Sequence, residues 1–217
     1  MQVILLGLPG AGKGTQAAWI VEDFGLPHIS TGDMFRAAAK GESQVSGEIR
    51  SYIEGGLLVP DELTIRIVRD RIAQDDAKEG FLLDGFPRTR PQAQALDNML
   101  AEVGRPLSRV IYLEVGREEL LRRLGGRWVC PGCGATYHAV FQPPRSAGVC
   151  NECGTALQQR ADDRPDAVRV RLEQNWDNTQ SLVAFYEARG VLTRLAGDQP
   201  IDRVRRAIRA ALRGDGQ

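Results

Sequence analysis

Apolar and polar positions alternate between two regimes along the chain. Short uninterrupted apolar runs, Val3 to Leu6, Phe81 to Leu83 and Val110 to Leu113, are each followed by a turn signal and then by apolar residues at helical spacing. Such runs suit strands buried on both faces, as in a parallel sheet. A fourth strand is expected at Val191 to Leu195 and a short one around His28 and Ile29. Helices are expected near 13–24, 61–76, 91–102, 117–125, 166–189 and 200–213. Strand and helix in repeated succession make an α/β fold, a parallel β-sheet core flanked by helices.

Two segments leave this alternation. Residues 30–59 contain no strand-like run and are expected as short helices, one capped by Thr31 and beginning at Gly32 or Asp33, another stopped by Gly55 and Gly56. Residues 126–163 give up apolar periodicity for Cys, Gly, Pro and Thr in short turns, the composition of a small knuckled insertion. The expected organisation is a core built from 1–29, 60–125 and 164–217, interrupted by insertions at 30–59 and 126–163.

Composition narrows the function classes. The 217 residues are 42% apolar, with 28 basic and 28 acidic side chains, so the formal charge is zero and there is no electrostatic footprint for nucleic acid or an anionic membrane. The opening apolar run ends at Gly7, too short for a signal-peptide core, and no stretch approaches the ~20 apolar residues of a membrane span. Four cysteines, all between Cys130 and Cys153, fit metal binding in a reducing compartment better than a secreted disulfide framework. A cytoplasmic location is therefore expected. Arginine outnumbers lysine 25 to 3, so a surviving Lys13 suggests a position that needs a compact ammonium.

Gly7-Leu8-Pro9-Gly10-Ala11-Gly12-Lys13-Gly14-Thr15 follows the first strand and opens the first helix, the context of a phosphate-binding P-loop. Its glycines let backbone N–H groups and the helix N-terminus face phosphates while Lys13 reaches their oxygens. Gly14 stands where a Ser or Thr is usual, which displaces the hydroxyl to Thr15 and argues against its direct ligation of magnesium. Phe81 to Asp84 is an apolar strand ending in a carboxylate, placed to hold magnesium or its waters beside the P-loop. Gly85-Phe86-Pro87-Arg88 then turns an arginine toward the same edge. Cys130-x2-Cys133 and Cys150-x2-Cys153, 16 residues apart, fit a closed four-thiolate structural zinc site, with disulfides or buried thiols as the alternative. His28 fits a scaffold role, and His138 is not needed as a ligand beside four cysteines.

The P-loop, the stretch Ile29-Ser30-Thr31-Gly32-Asp33-Met34, the stretch Phe81 to Arg88 and the later arginines together resemble the adenylate kinases, P-loop nucleoside monophosphate kinases with this order of motifs. The likeness runs from residue 2 to about 210. It implies reversible phosphoryl transfer from magnesium-bound ATP to AMP, giving two ADP, by a monomer without nucleic-acid or membrane partners. It implies that 30–59 is an AMP-binding domain and 126–163 a zinc-bearing lid over ATP. ATP contacts are implied at Gly10, Ala11, Gly12, Lys13, Gly14, Thr15, Arg123, Arg127, Thr136, Tyr137 and Gln199. AMP contacts are implied at Thr31, Arg36, Leu57, Leu58, Val59, Gly85, Phe86, Pro87, Arg88, Gln92, Arg160 and Arg171.

Lys13, Asp84, Arg88, Arg123, Arg127, Arg160 and Arg171 are the implied catalytic set, a ring of charge around the transferring oxygens that needs no general base. Arg36 and Arg88 can pair with a monophosphate, and Gln92 can read adenine's donor and acceptor edge. One departure from the family pattern is Ala196-Gly197, where Asp-Gly is common; a backbone contact from Gln199 survives that change. Two other readings remain open: a monophosphate kinase for another base, and a zinc-ribbon nucleic-acid-binding ATPase. The second is disfavoured because residues 126–163 balance three arginines with Glu152, Asp162 and Asp163.

Overall fold

The computed structural model describes residues 1–214, so the last three positions of the expected 164–217 core segment lie outside the described residues. The strands are β1 (Gln2–Leu6), β2 (His28–Ser30), β3 (Phe81–Asp84), β4 (Arg109–Glu114), β5 (Arg127–Val129), β6 (Thr136–His138) and β7 (Leu192–Ala196). The helices are α1 (Lys13–Phe24), α2 (Thr31–Ala38), α3 (Gln44–Glu54), α4 (Asp61–Ile72), α5 (Arg90–Glu102), α6 (Arg117–Gly125), α7 (Pro165–Glu187) and α8 (Ile201–Arg213).

Five strands form one parallel sheet in the order β2-β3-β1-β4-β7. The uninterrupted apolar runs are explained by its two covered faces. Side chains alternate across a strand, so Ile4 and Leu6 join Phe81, Leu83, Val110 and Tyr112 in one core. Val3 and Leu5 join Leu82, Ile111 and Leu113 in the other. Each fully buried Leu or Ile there contributes ~1.5–3 kcal/mol relative to exposure. The two layers hold the strands' C-terminal ends in one row, and open parallel sheets bind ligands at that edge.

The two exceptional segments have small cores of their own. Between β2 and α4, the helical insertion packs Phe35, Ile49 and Val59 together. Its expected cap needs correcting: Ser30, not Thr31, is the N-cap of α2, accepting the Asp33 N–H at 3.3 Å. Thr31 is already helical and turns inward, where its hydroxyl donates to Gly85 O at 2.8 Å. Gly56, with φ +71°, is the left-handed stop expected after α3; a Cβ there would lie 2.6 Å from Ala167 O. In 126–163 the structure adds an antiparallel hairpin, β5 with β6, that the turn-rich composition had concealed. Elsewhere the differences are boundary shifts: α4 ends at Ile72 before a short 3-10 turn at Asp75–Ala77, and β7 sits one residue later than expected.

Candidate active site

The loop after β1 turns through left-handed glycines at Gly10 and Gly12, with φ +87° and +93°. A Cβ on Gly10 would sit 3.0 Å from Leu124 Cγ and 3.1 Å from Leu120 O, so the loop also needs glycine to pack against α6. Gly12 is the N-cap of α1 and offers no side chain to the first-turn N–H groups, which remain available to an anion. Lys13 arches over the loop, donating to Gly7 O at 2.7 Å and Leu8 O at 3.2 Å. Burial in the cleft, with Arg88, Arg171 and Arg127 nearby, pushes its ammonium down to about 8, against a smaller pull from Asp84. A phosphate chain would reverse that pressure.

Around this loop lies a cleft of about 800 Å³ whose wall carries eight Lys or Arg and five Asp or Glu side chains. A chain with no net charge thus gathers a positive excess at one place, as phosphate recognition requires. Burial holds Arg88 and Arg160 down to about 10. Both stay charged at neutral pH, and the direction marks surroundings short of anions. Among the described residues Arg160 meets no carboxylate within 4 Å, and the Arg88 guanidinium bonds only the Gly85 carbonyl, at 2.8 Å through Nε. Their forks can accept a ligand.

Other arginines are aimed by carboxylates that the sequence reading did not single out. Asp163 takes a bidentate pair from Arg127 and a 3.1 Å contact from Arg171. Arg171 Nη1 also lies 3.1 Å from Asp162 Oδ2. Glu119 holds Arg123 at 2.7 Å, and Asp33 holds Arg36 at 2.5 Å. The signal for Asp162 and Asp163 was their place directly after Arg160-Ala161, in a segment otherwise poor in acid. Arg123 Nη1 reaches Gly197 O at 3.0 Å, bracing the altered Ala196-Gly197 loop through its backbone.

Asp84 ends β3 opposite Leu5 and Ser30. Burial works against its charge, yet His28, Lys13 and Arg88 together hold the carboxyl below its usual range. His28 Nε2 stands 3.5 Å from Asp84 Oδ2, an electrostatic approach rather than a well-formed hydrogen bond. An ionised carboxylate at the strand edge beside the P-loop suits a magnesium ion or its waters.

A second, smaller cavity opens toward the helical insertion, lined by Thr31, Arg36, Leu57, Val59, Gly85, Arg88, Gln92 and Arg171. Thus the first cavity gathers Gly10 to Thr15, Asp84, Arg123, Arg127, Thr136, Tyr137, Arg160 and Gln199. Pro87 lines the first, and the two share Gly32, Arg36, Gly85, Arg88 and Arg171. Leu58 and Phe86 line neither; Phe86 is 1% exposed and belongs to the core.

The adenylate kinase family model matches residues 5–191. Proteins named adenylate kinase are similar over nearly the full length: one from Geobacillus sp. (strain WCH70) at 54% identity, covering 99% of both chains. One from Bacillus subtilis (strain 168) has 52% identity at the same coverage. The chain belongs to the adenylate kinase family.

This family member carries a further cluster beyond the cleft. Four Sγ atoms, from Cys130, Cys133, Cys150 and Cys153, lie within 4.8 Å of one another, and none is in a disulfide. Two matching turns present them: the N–H of Gly134 donates to Cys130 O and that of Gly154 to Cys150 O, both at 3.0 Å. Both glycines are left-handed. The pairs Cys130–Cys153 and Cys133–Cys150 stand 3.3 and 3.5 Å apart. A thiolate tetrahedron with ~2.3 Å metal–sulfur bonds has edges only slightly longer, so the donor set fits zinc. Tyr137 O accepts the Asn151 N–H at 2.8 Å, leaving its hydroxyl proton for Cys150 Sγ at 3.4 Å. That contact favours the Cys150 thiolate and occupies the phenol, so Tyr137 meets the cleft with its remaining atoms.

Proposed function

We propose that this chain catalyses phosphoryl transfer from magnesium-bound ATP to AMP, giving two ADP, with the residues named above in the following roles. The observation that carries the reading is the wall shared by the two cavities, where Arg36, Arg88 and Arg171 face both. A donor triphosphate on the P-loop and an acceptor monophosphate in the smaller cavity would place their reacting oxygens on either side of one guanidinium cluster. Phosphoryl transfer asks mainly for such positioning and charge neutralisation.

In this reading residues 1–29, 60–125 and 164–217 are the core, 30–59 the AMP-binding domain and 126–163 the lid. Lys13 and the first-turn N–H groups of α1 hold the β and γ phosphates. Arg123 and Arg127, with Thr136, Tyr137 and Gln199, hold the rest of ATP. Arg36, Arg88, Arg160 and Arg171 converge on the acceptor phosphate and the transferring group, while Thr31, Leu57, Val59 and Gln92 receive the adenosine. Asp84 would hold magnesium or its waters, and the ion would supply positive charge to offset the negative charge of the phosphates. The four cysteines would hold one structural zinc. They fill its tetrahedron, so no position is left for substrate. A monomer accords with both cavities being lined by one chain, and no helix among the described residues is long and apolar enough to cross a membrane.

A coupled assay for ADP with ATP, AMP and magnesium, each omitted in turn, tests the reaction. Lys13→Met tests the mechanism: turnover is expected to fall by about 100-fold or more with the circular dichroism spectrum unchanged, because the ammonium's benefit grows as transition-state charge develops. Near-normal turnover in a folded Lys13→Met protein removes Lys13 from the catalytic set.

A further inference from the structure

Asp61 opens α4 where the helical insertion rejoins the core, and neither cavity includes it. Its carboxylate nevertheless closes a ring of hydrogen bonds behind one of them. Asp61 Oδ1 accepts from Gln92 Nε2 at 2.7 Å, and Oδ2 accepts from Thr89 Oγ1 at 2.8 Å. Thr89 Oγ1 in turn accepts the Gln92 backbone N–H at 3.3 Å as the N-cap of α5. Gln92 Oε1 completes the ring by accepting the Arg88 N–H at 2.8 Å.

The donor and acceptor inventory of these groups makes the ring directional. A side-chain amide has two orientations that exchange an acceptor for two donors, whereas an ionised carboxylate can only accept. Asp61 therefore draws the NH2 of Gln92 to its own side and leaves the carbonyl facing Arg88. Gln92 is 2% exposed, so water offers no alternative partner to a rotated amide. After these bonds the amide keeps one N–H and one oxygen lone pair. Adenine presents an amino donor beside a ring-nitrogen acceptor, which matches that pair. A 6-oxopurine presents a carbonyl acceptor beside an N–H donor, which matches the flipped amide instead.

We propose that Asp61 is a positioning residue that sets base selectivity in the smaller cavity by fixing the orientation of the Gln92 amide. The inference rests on the reading that Gln92 faces the base of AMP. It assigns Asp61 no contact with substrate; the residue acts through Gln92 alone. It also explains why an acid at the start of α4 is tied to the cap of α5 rather than left in solvent.

Steady-state kinetics with AMP and with IMP at saturating ATP test this on Asp61→Ala, Asp61→Asn and Gln92→Leu, with melting temperature recorded for each. Asp61→Ala is expected to raise KM for AMP about tenfold and to narrow the AMP-to-IMP ratio of kcat/KM about tenfold, with KM for ATP changed less than about twofold. Asp61→Asn, which keeps the shape and can still turn an oxygen toward Gln92, should give an intermediate ratio. A raised KM for AMP with the ratio intact in both Asp61 variants overturns the proposal, since loss of packing alone would do that. If Gln92→Leu collapses the ratio and the Asp61 variants keep it, this inference fails and the base-reading role of Gln92 stands. If Gln92→Leu also leaves the ratio unchanged, both fail.

Discussion

The two insertions meet the same demand by different means. Each contributes residues to the wall of a cavity while remaining ordered. Residues 31–59 do it with apolar contacts: Phe35, Ile49 and Val59 are buried together, and Leu63 and Ile67 of α4 pack against the cluster. The apolar residues that 126–163 buries are Cys130, Tyr137, Cys150 and Leu157, with Trp128 and Ala135 beside them. Helices of two or three turns can lay an apolar stripe on a neighbour, but three-residue strands joined by tight turns have too little surface to do so. A segment this short needs a cross-link or a metal to hold it.

The comparison is broken most severely at the cysteines. Structural zinc contributes roughly 10–16 kcal/mol apparent in free zinc-finger peptides, more than any single apolar side chain can. Replacing Cys130 and Cys133 by Ser should release about one equivalent of zinc and remove hydrogen-exchange protection across 127–158. Protection in β1, β3 and β4 should persist, since their side chains pack in two cores that the hairpin does not enter. At low temperature measurable kinase activity should remain, because Lys13, Arg36 and Arg88 lie outside the knuckle. Protein that binds no zinc under reducing conditions, or a well-folded metal-free lid without any turnover, would end the structural-zinc assignment.

Phe35→Ala applies the matching perturbation to the helical insertion. Phe35 is 7% exposed, and Phe-to-Ala changes in cores cost ~3–5 kcal/mol. The effect should be local, because the cluster is separate from the sheet cores. KM for AMP is expected to rise about tenfold or more, with zinc content unchanged and KM for ATP within about twofold. Equal damage to both nucleotides would mean that the insertions are not independent units.

What the sequence disclosed follows the same division. The parallel strands were legible because burial on both faces leaves no polar interruption, as in Val3 to Leu6. The P-loop was legible because Gly10, Gly12 and Lys13 stand at a spacing that few other structures need. The hairpin of 127–129 and 136–138 was hidden because its strands are three residues long and are joined through a cysteine turn, too short for alternation to show. Ser30 was passed over as a cap because two hydroxyls stand side by side and only the fold shows which one faces Gly85. The carboxylates at Asp61, Asp162 and Asp163 were missed for a related reason. Each acts by aiming another residue from a distant element, and sequence spacing carries no record of that.

The smallest expected effect separates the insertions by pH. His138 ends β6, and its Nδ1 accepts the N–H groups of Val140 and Phe141 at 3.0 and 3.1 Å. Its ring packs against Phe141, with Nε2 3.4 Å from Arg122 O and the Arg122 and Arg123 guanidinium groups nearby. Burial lowers its pKa, and the Arg122 charge adds to that. Since the folded value lies below the ~6.5 of a free imidazole, the unfolded chain takes up the proton first. The turn's contribution is therefore complete above that pH and is lost as pH falls toward and through the folded value. A proton on Nδ1 would displace both N–H groups and loosen Phe141, which lines the larger cleft. The helical insertion has no such lock; Arg50 braces it by donating to Ala39 O at 2.6 Å. His138→Asn places a non-titrating acceptor where Nδ1 was, so the ratio of the two proteins' KM for ATP cancels the titration of the nucleotide itself. Between about pH 7.5 and 5.5 that ratio should move by roughly twofold, wild type weakening more, while the ratio for AMP stays flat. A flat ratio for ATP would show that the turn holds without its imidazole acceptor.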